Sequence, residues 1–502
     1  MIDIVKQIKL KSGDDLQKPP CIFMAPTANA AFIINSKTIE SALGVMPRKE
    51  NAFNKGKQSK VSNLTFLYED VEVIFCDEIS MVGSSKFTRI NFQLQDIKGS
   101  GDFMGGLSFV AVGDFHQLPP VLEQYAYENS NLDGRPSIAP SHWDENFEMF
   151  YLTEKMRSLK DPIFSALCDR VGNGRFTKED EAFLQSRIQD TSSEKNNEMF
   201  RNGKLSIIVT TNRKRQEINE SKLSSLLPTE RSYISEAIDR ATNLENAPEV
   251  PENMPITKTG SLEKNLILKS NAPIVITSNA AKKYKEDGVV NGARGFVDSL
   301  QMSKSDTAYI DVVWIVFQDP NIGKLLRYDN KHLRKSHKPK NENAVPILRQ
   351  KKYFTMNKGE IKYQRFQFPL TLAYAITAYK CQGATLDEVI IDFGHKEGEK
   401  QMIQWGSFYV ALTRVREGKD VYLKSFDKSF ITFNQKVEDK IEAMRKFKTY
   451  RFKKKYIFVK IFEEEEEMKI GYLNIKGLFE SNHAEYLDND KNLLHLDFLV
   501  LS

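Results

Sequence analysis

Short apolar runs recur along the chain and are separated by longer stretches with helical periodicity. Apolar runs of this length predict strands buried on both faces, which are typical of parallel sheets. A helix-prone segment, Ala28–Ile34, follows the first run. Strands alternating with helices predict an α/β chain whose functional loops lie at the carboxyl ends of the strands. The predicted strands are Cys21–Ala25, Val71–Cys76, Leu107–Val112, Ile207–Thr210, Val389–Ile391 and Val421–Leu423.

The pattern changes over residues 296–368, where short β-rich runs are separated by turn residues. This change predicts a small inserted β domain. Its basic loop, Lys331–Lys340, has two interpretations, a nucleic-acid contact or a solvated surface loop. The basic and aromatic cluster at Lys446–Lys455 predicts nucleic-acid binding, nuclear import or a solvated helix end. The acidic run Glu463–Glu467 predicts a solvated face.

Composition narrows the classes of protein to consider. The 502 residues are 40% hydrophobic, and their net charge of +5 is too small to argue for nucleic acid by itself. The 4 cysteines and 7 histidines form neither a C-x-x-C pair nor a zinc-site spacing, which predicts reduced thiols. There is no apolar run of about 18 residues and no signal-peptide pattern at the N-terminus, so we expect no membrane partner.

Two adjacent carboxylates follow the second predicted strand in the stretch VIFCDEISMV, residues 73–82. At the end of a buried strand, Asp77 is placed to hold Mg²⁺ through water, and Glu78 to orient a water attacking a γ-phosphate. The alternative is a solvated acidic pair. The stretch GDFHQLPPV, residues 113–121, places Gln117 on a loop bounded by two prolines. An amide donates and accepts at once, so Gln117 is a candidate phosphate sensor, with an ordinary proline-rich turn as the alternative.

DEISMV followed by GDFHQLPPV resembles the Pif-type (petite integration frequency) helicases, the RecD-like branch of superfamily one. Further blocks resemble the family's motifs in the family's order. They are Ala25–Phe32, Thr38–Ser41, Leu152–Arg157, Thr211–Asn212, Ala272–Asn279, Asn291–Gly295, Leu372–Leu386 and Tyr409–Arg416.

The resemblance implies two RecA-like P-loop NTPase motor domains with parallel sheets and a small inserted β-rich, SH3-like domain. The first motor domain is expected at 1–155 and the second at 156–295 together with 369–427. The inserted domain occupies 296–368, and 428–502 form a C-terminal extension.

The resemblance also implies a role for each matched site residue. Catalytic roles fall to Glu78, Gln117, Arg157 and Arg414, the two arginines acting as fingers on the phosphates of ATP. Nucleotide contacts fall to Asp77, Glu78, Gln117, Gly383 and Arg414, with Asp77 as the Mg²⁺ ligand. Single-stranded DNA contacts fall to Pro26, Thr27, Asn279, Thr377 and Lys380.

The expected function is therefore an ATP-dependent DNA helicase that moves 5′ to 3′ on single-stranded DNA and acts at DNA junctions in repair, recombination or telomere maintenance. We expect a monomer in the nucleus, with the mitochondrion as the alternative. The phosphate-loop pattern G-x-x-x-x-G-K-[ST] does not occur in the 502 residues. The expectation is a truncated chain that is weakly active or inactive, and the alternative is a non-catalytic single-stranded nucleic-acid-binding protein.

Overall fold

The computed structural model describes residues 21–44, 58–128 and 139–446, apart from short internal gaps, and two strands near the C-terminus. The gaps are 151, 153–154, 190–192, 253, 255, 280–283, 285–286, 307–308, 357–359 and 395–402. The acidic run Glu463–Glu467 and most of the basic cluster Lys446–Lys455 lie outside the described residues. No described helix is both long enough and apolar enough to cross a lipid bilayer.

The strands are numbered in chain order. They are β1 (Cys21–Ala25), β2 (Lys37–Thr38), β3 (Val73–Cys76), β4 (Ser108–Ala111), β5 (Leu205–Val209), β6 (Tyr233–Glu236), β7 (Ile238–Ala241), β8 (Asn265–Leu268), β9 (Pro273–Ile276), β10 (Arg294–Met302), β11 (Ile310–Phe317), β12 (Val345–Ile347), β13 (Gln350–Met356), β14 (Ile361–Gln367), β15 (Leu370–Leu372), β16 (Ala375–Thr377), β17 (Glu388–Ile391), β18 (Val421–Leu423), β19 (Ile470–Leu473) and β20 (Phe498–Leu501).

The described α-helices are numbered in the same way. They are α1 (Ala28–Ile33), α2 (Ile39–Leu43), α3 (Gln58–Leu67), α4 (Ser84–Lys98), α5 (Ala139–Asn146), α6 (Pro162–Gly172), α7 (Lys178–Ser186), α8 (Glu194–Arg201), α9 (Asn212–Leu226), α10 (Lys324–Asp329), α11 (Ala378–Cys381), α12 (Ser407–Leu412) and α13 (Gln435–Lys446). All six predicted strands are present; two have the predicted bounds, and the ends of the other four differ by at most two residues.

The first parallel sheet has the strand order β2-β1-β3-β4. Alternate residues of its strands point to opposite faces, and Met24, Ile74 and Cys76 are fully buried on one face. The apolar side of α4 covers this face through Phe87 and Ile90. Because all four strands run in the same direction, the residues that follow β1, β3 and β4 meet at one edge of the sheet.

The second parallel sheet has the order β16-β5-β17-β18. All five residues of β5 are buried, as the continuous apolar run predicted. Ile207 packs into one core and Ile208 into another, so both faces of the sheet are covered. The α/β fold class with parallel sheets is therefore confirmed.

Between the parts of the second parallel sheet lies a β-rich region built from antiparallel sheets. One has the order β12-β11-β10-β9-β15 and another the order β13-β14-β7. The predicted interval 296–368 is narrower than this region, because β9 and β15 lie outside it: β9 pairs with β10, and β15 pairs with β9. Their apolar runs resemble core strands of a parallel sheet, so periodicity alone did not assign them to this sheet.

Candidate functional site

The two candidate carboxylates lie where the first sheet ends. Asp77 donates its backbone N–H to the carbonyl of Met24 at 2.9 Å, which extends the strand pairing to this position. Its Oδ1 accepts the N–H of Glu78 at 2.8 Å. Glu78 has φ 51°, a left-handed conformation that is uncommon for a non-glycine residue and often marks a functional turn.

Glu78 contacts the second parallel-sheet region directly. The amide Nε2 of Gln382, one residue past α11, donates to Glu78 Oε2 at 3.2 Å. Gly383 follows in the left-handed conformation at φ 78°, and a Cβ there would lie 3.4 Å from Glu78 Oε1. The alternative of a solvated acidic pair does not describe Glu78, since its carboxylate faces residues 382–383 across a cleft between the two parallel sheets.

Both carboxyl groups hold protons more strongly than they would in water. Burial raises the pKa of Asp77, and the hydrogen bond from the Glu78 backbone opposes this shift only in part. Burial also raises the pKa of Glu78, against the hydrogen bond from Gln382. The negative charge of Asp77 adds to the shift, and the positive charge of Arg414 opposes it. A carboxyl with a raised pKa in a cleft is suited to accept a proton.

Gln117 lies on the loop that follows β4, beside the carboxylates. Val112 donates its N–H to the carbonyl of Cys76, and Ile79 donates to the carbonyl of Val112, so this loop is tied to residues 76–79. The side-chain Oε1 of Gln117 is buried and has no hydrogen-bond partner among the described residues. A buried oxygen of this kind calls for a donor from water or a ligand, which an ordinary proline-rich turn does not explain.

The two candidate arginine fingers are both held in place by groups around the second sheet. Arg157 donates to the hydroxyl of Thr385 at 3.1 Å and to the carbonyl of Thr413 at 2.8 Å. Burial and the positive charge of Arg414 lower the pKa of Arg157 to about 10, while Glu78 opposes this. Arg414 is 1% exposed and donates to the carbonyl of Val410 and the hydroxyl of Thr413, both at 2.8 Å. The finger role of each arginine stays a prediction.

The first group of candidate DNA-binding residues lies around α1. Pro26 and Thr27 follow β1, and Thr27 caps α1 by accepting the N–H of Ala30 at 3.2 Å. Its hydroxyl hydrogen is still available to a phosphate oxygen. Asn279 accepts the N–H of Asn291 at 2.8 Å. A Cβ on the next residue, Gly292, would lie 3.3 Å from Asn29 of α1, so the two sequence blocks meet.

The second group lies at the end of β16. Thr377 is buried and begins α11, without a side-chain capping bond. Burial and the positive charge of Arg215 lower the pKa of Lys380 to about 8, while Glu263 opposes this shift. Lys380 is therefore a largely buried lysine beside the positive charge of Arg215, and it differs from a solvent-exposed lysine. The DNA-binding role of both residues stays a prediction.

The basic loop at 331–340 is folded against the antiparallel sheet. Asp298 of β10 accepts the backbone N–H groups of Lys340 and Asn341 at 2.8 and 2.9 Å. His337 stacks on Trp314 of β11 with ring centroids 6.0 Å apart. The loop therefore has a defined shape, which leaves both of its interpretations open.

Sequence analysis missed several contacts of the cleft. Gln382 precedes Gly383 inside a matched motif, so its amide was a signal available from the sequence. Asp114 and His116 were also visible in the GDFHQ stretch. Their partners, Tyr409 and Glu438, come from about 300 residues later in the chain, as separations of 295 and 322 residues show.

Comparisons with known proteins agree with the motifs. The family model described as "PIF1-like helicase" matches residues 9–182. The ATP-dependent DNA helicase Pif1 of Bdellovibrio bacteriovorus is 26% identical over 416 residues, which cover 82% of this chain and 80% of that protein. The ATP-dependent DNA helicase PIF1 of Danio rerio is 27% identical over 374 residues, 74% of this chain. The chain spans only 49% of the length of this second relative.

Solved structures share the fold. The crystal structure of Pif1 helicase from Candida albicans aligns with a TM-score of 0.64 at 21% identity, covering 88% of this chain and 92% of that one. The structure of Bacteroides Pif1 bound to single-stranded DNA aligns with a TM-score of 0.59 at 23% identity, covering 89% and 91%. The chain is therefore similar to PIF1-like helicases over residues 9–182, and it shares the fold of the solved Pif1 structures.

Proposed function

We propose that the chain is an ATP-dependent DNA helicase, a motor that couples ATP hydrolysis to movement along single-stranded DNA. One observation carries the proposal. Glu78 of the first sheet is hydrogen-bonded to Gln382 beside the second sheet, and the buried Oε1 of Gln117 has no partner among the described residues. Carboxylates, a sensor amide and two guanidinium groups therefore converge on one cleft, which is the set of groups that phosphoryl transfer requires.

The donor atoms suit Mg²⁺ held together with a nucleotide. No group of three or more His, Cys, Asp or Glu side chains that could hold a metal occurs among the described residues. Mg²⁺ fits this arrangement, because it is usually bound through one or two carboxylates and the phosphates of its substrate. Asp77 would hold the ion, which would supply charge stabilisation at the phosphates. Glu78, with its raised pKa, accepts a proton from water, and Gln117 orients that water or a phosphate oxygen.

The two arginines would allow the cleft to adopt an open and a closed state. Arg414 donates hydrogen bonds to Val410 and Thr413, and these bonds must break before its guanidinium can reach a phosphate. Each hydrogen bond from a charged group contributes about 1.5–3 kcal/mol, and phosphate oxygens would replace the bonds that are lost. Nucleotide binding would therefore draw the second sheet toward the first, and release would reverse the motion.

Single-stranded DNA is the proposed track. Pro26, Thr27 and Asn279 supply one set of contacts, and Thr377 and Lys380 the other. The proposed contacts are to the backbone, because hydroxyl, amide and ammonium groups recognise phosphates without reading sequence. Movement 5′ to 3′, unwinding at junctions, a monomeric state, roles in repair, recombination or telomere maintenance, and a nuclear location are proposed on the family resemblance alone.

A second candidate is a non-catalytic protein that binds single-stranded nucleic acid. It is favoured by the sequence, because the phosphate-loop pattern is absent from the 502 residues. Backbone amides and a lysine from such a loop supply much of the binding of ATP phosphates, so we propose weak turnover at most for these residues alone.

One experiment separates the two candidates. ATP turnover by the 502-residue chain is measured with and without single-stranded DNA, beside Glu78→Gln and, as a matched control, Glu145→Gln at an exposed carboxylate of α5. The helicase proposal expects DNA-stimulated turnover that Glu78→Gln abolishes and Glu145→Gln preserves. DNA binding by fluorescence anisotropy without any turnover would reject the motor and support the binding protein. The absence of both would reject both candidates.

A further inference from the structure

The C-terminal helix α13 crosses back to the first parallel sheet. Although it follows the last strand of the second sheet, its Val437 and Ile441 are buried in the core of the first sheet's region. Met444 accepts a hydrogen bond from the indole of Trp143 at 3.4 Å, and Lys440 pairs with Asp144 of α5. The helix is therefore a strap that joins the two halves of the cleft.

His116, the residue before the candidate sensor Gln117, lies where this strap meets the sensor loop. Its Nδ1 is 3.2 Å from Asp114 Oδ1, and its Nε2 contacts the carboxylate of Glu438 on α13. Tyr409 of α12 donates its hydroxyl to the other oxygen of Asp114 at 2.7 Å. One imidazole therefore links a loop of the first sheet, a helix beside the second sheet and the strap.

The surroundings of His116 are closed and charged. The ionisable groups that face it are Asp114 on its own loop, Tyr409 on α12 and Glu438 on α13. From α6 it meets Gly172, which carries no side chain. The backbone of the sensor loop is equally confined, because a Cβ on Gly406 would lie 2.9 Å from the carbonyl oxygens of both His116 and Gln117. The loop is therefore in direct contact with the residue before α12 and, through Glu438, with α13.

The charge state of His116 is set by its two carboxylate partners. Burial disfavours the imidazolium, but hydrogen bonds and charges from Asp114 and Glu438 outweigh burial and raise the pKa of His116. Burial likewise disfavours the charged form of Asp114, but His116 and Tyr409 outweigh it and lower the pKa of Asp114 to about 2. The charged network is therefore lost as the pH rises through the raised pKa of His116.

On the basis of the proposed function, we propose that His116 is a positioning residue, which holds the sensor Gln117 in place through its ion pair with Glu438 on the strap α13. In this arrangement the position of the Gln117 side chain depends on the attachment of α13 as well as on the nucleotide. The pair acts through geometry and charge and does not touch the reacting phosphate.

Hydrogen exchange tests the proposal without requiring turnover. Glu438→Gln keeps the shape of the side chain and removes its charge. It should raise amide exchange over residues 113–118 about tenfold at a pH below the pKa of His116, since a charge-assisted hydrogen bond is lost. The matched control is Lys440→Gln, which breaks the ion pair of α13 with Asp144 and should change exchange over 113–118 by less than about threefold. Circular dichroism checks that both variants are folded.

The pH dependence and the kinetics complete the test. After correction for intrinsic rates, exchange over 113–118 in the unaltered chain should rise as the pH passes the pKa of His116, and Glu438→Gln should shift this rise to lower pH. In a chain that turns over ATP, Glu438→Gln should lower kcat more than it raises KM. Equal effects of the two variants on residues 113–118, or no effect of Glu438→Gln there, would overturn the proposal. An unaltered chain without turnover would defeat the proposed function but leave the exchange result decisive for His116.

Discussion

Removal of the Arg414 side chain should destabilise the region around α11 and α12 even without nucleotide. The guanidinium is almost fully buried and makes two short hydrogen bonds, to Val410 and Thr413. At about 1.5–3 kcal/mol each, these bonds amount to about 3–6 kcal/mol. The cost of burying the charge reduces that sum. We therefore expect Arg414→Ala to cost about 3 kcal/mol of local stability.

The matched control is Arg416→Ala on the same segment. Arg416 is 58% exposed and pairs with Asp387 at 3.6 Å, so its loss should cost less than about 1 kcal/mol. The assay is native-state hydrogen exchange over residues 378–383 and 407–414, where about 3 kcal/mol corresponds to about a hundredfold faster exchange. Indistinguishable exchange in the two variants would refute the assignment of Arg414 as a structurally bound finger. It would also remove the basis for a two-state cleft.

Three further predictions concern other parts of the structure. Gly383→Ala should lower the free energy of unfolding in urea by about 1 kcal/mol, and it should also reduce ATP turnover because it adds a Cβ beside Glu78. The control is Gly99→Ala, at φ 62° with no neighbour within 4 Å, which should show the strain cost without the loss of turnover. Asp239→Asn should cost about 3–5 kcal/mol, because it leaves the buried Arg365 without its bidentate partner at 2.6 and 2.7 Å, and an unchanged urea midpoint would contradict this. The affinity for single-stranded DNA at fixed ionic strength should fall as the pH rises through about 8, where Lys380 loses its proton. Lys380→Arg should abolish this fall, because arginine keeps its charge. A pH-independent affinity of the unaltered chain would exclude Lys380 from the DNA contact.

The parallel sheets could be predicted because their signal is local. The apolar runs of β3, β5 and β17 are visible in the sequence without knowledge of their pairing partners, so the local pattern was sufficient to place these strands. The extent of the antiparallel sheets could not be predicted from local patterns. It depends on pairing between separate segments, because β9 pairs with β10 and β15 pairs with β9. For the same reason sequence analysis found Glu78 and Gln117 but missed the ion pair of His116 with Glu438, which spans 322 residues.

The contacts across the cleft are of two kinds, and this difference determines which of them can open. Glu78 meets Gln382, Asp114 meets Tyr409, and Tyr125 meets Trp405 through single hydrogen bonds of 2.7–3.2 Å. The two bonds to carboxylates contribute about 1.5–3 kcal/mol each and the neutral bond about 0.5–1.5 kcal/mol, so together the three hold the cleft by about 3.5–7.5 kcal/mol.

A ligand that prefers one state by about 5.5 kcal/mol is sufficient to invert a 1:99 population, and this preference is of the same order as the energy of the three bonds. The apolar anchors of α13, Val437 and Ile441, are buried in a core and are far harder to release. Opening of the cleft on nucleotide release should therefore break its polar contacts while the strap stays attached. His116, which belongs to both, is the point at which that motion would be transmitted to Gln117.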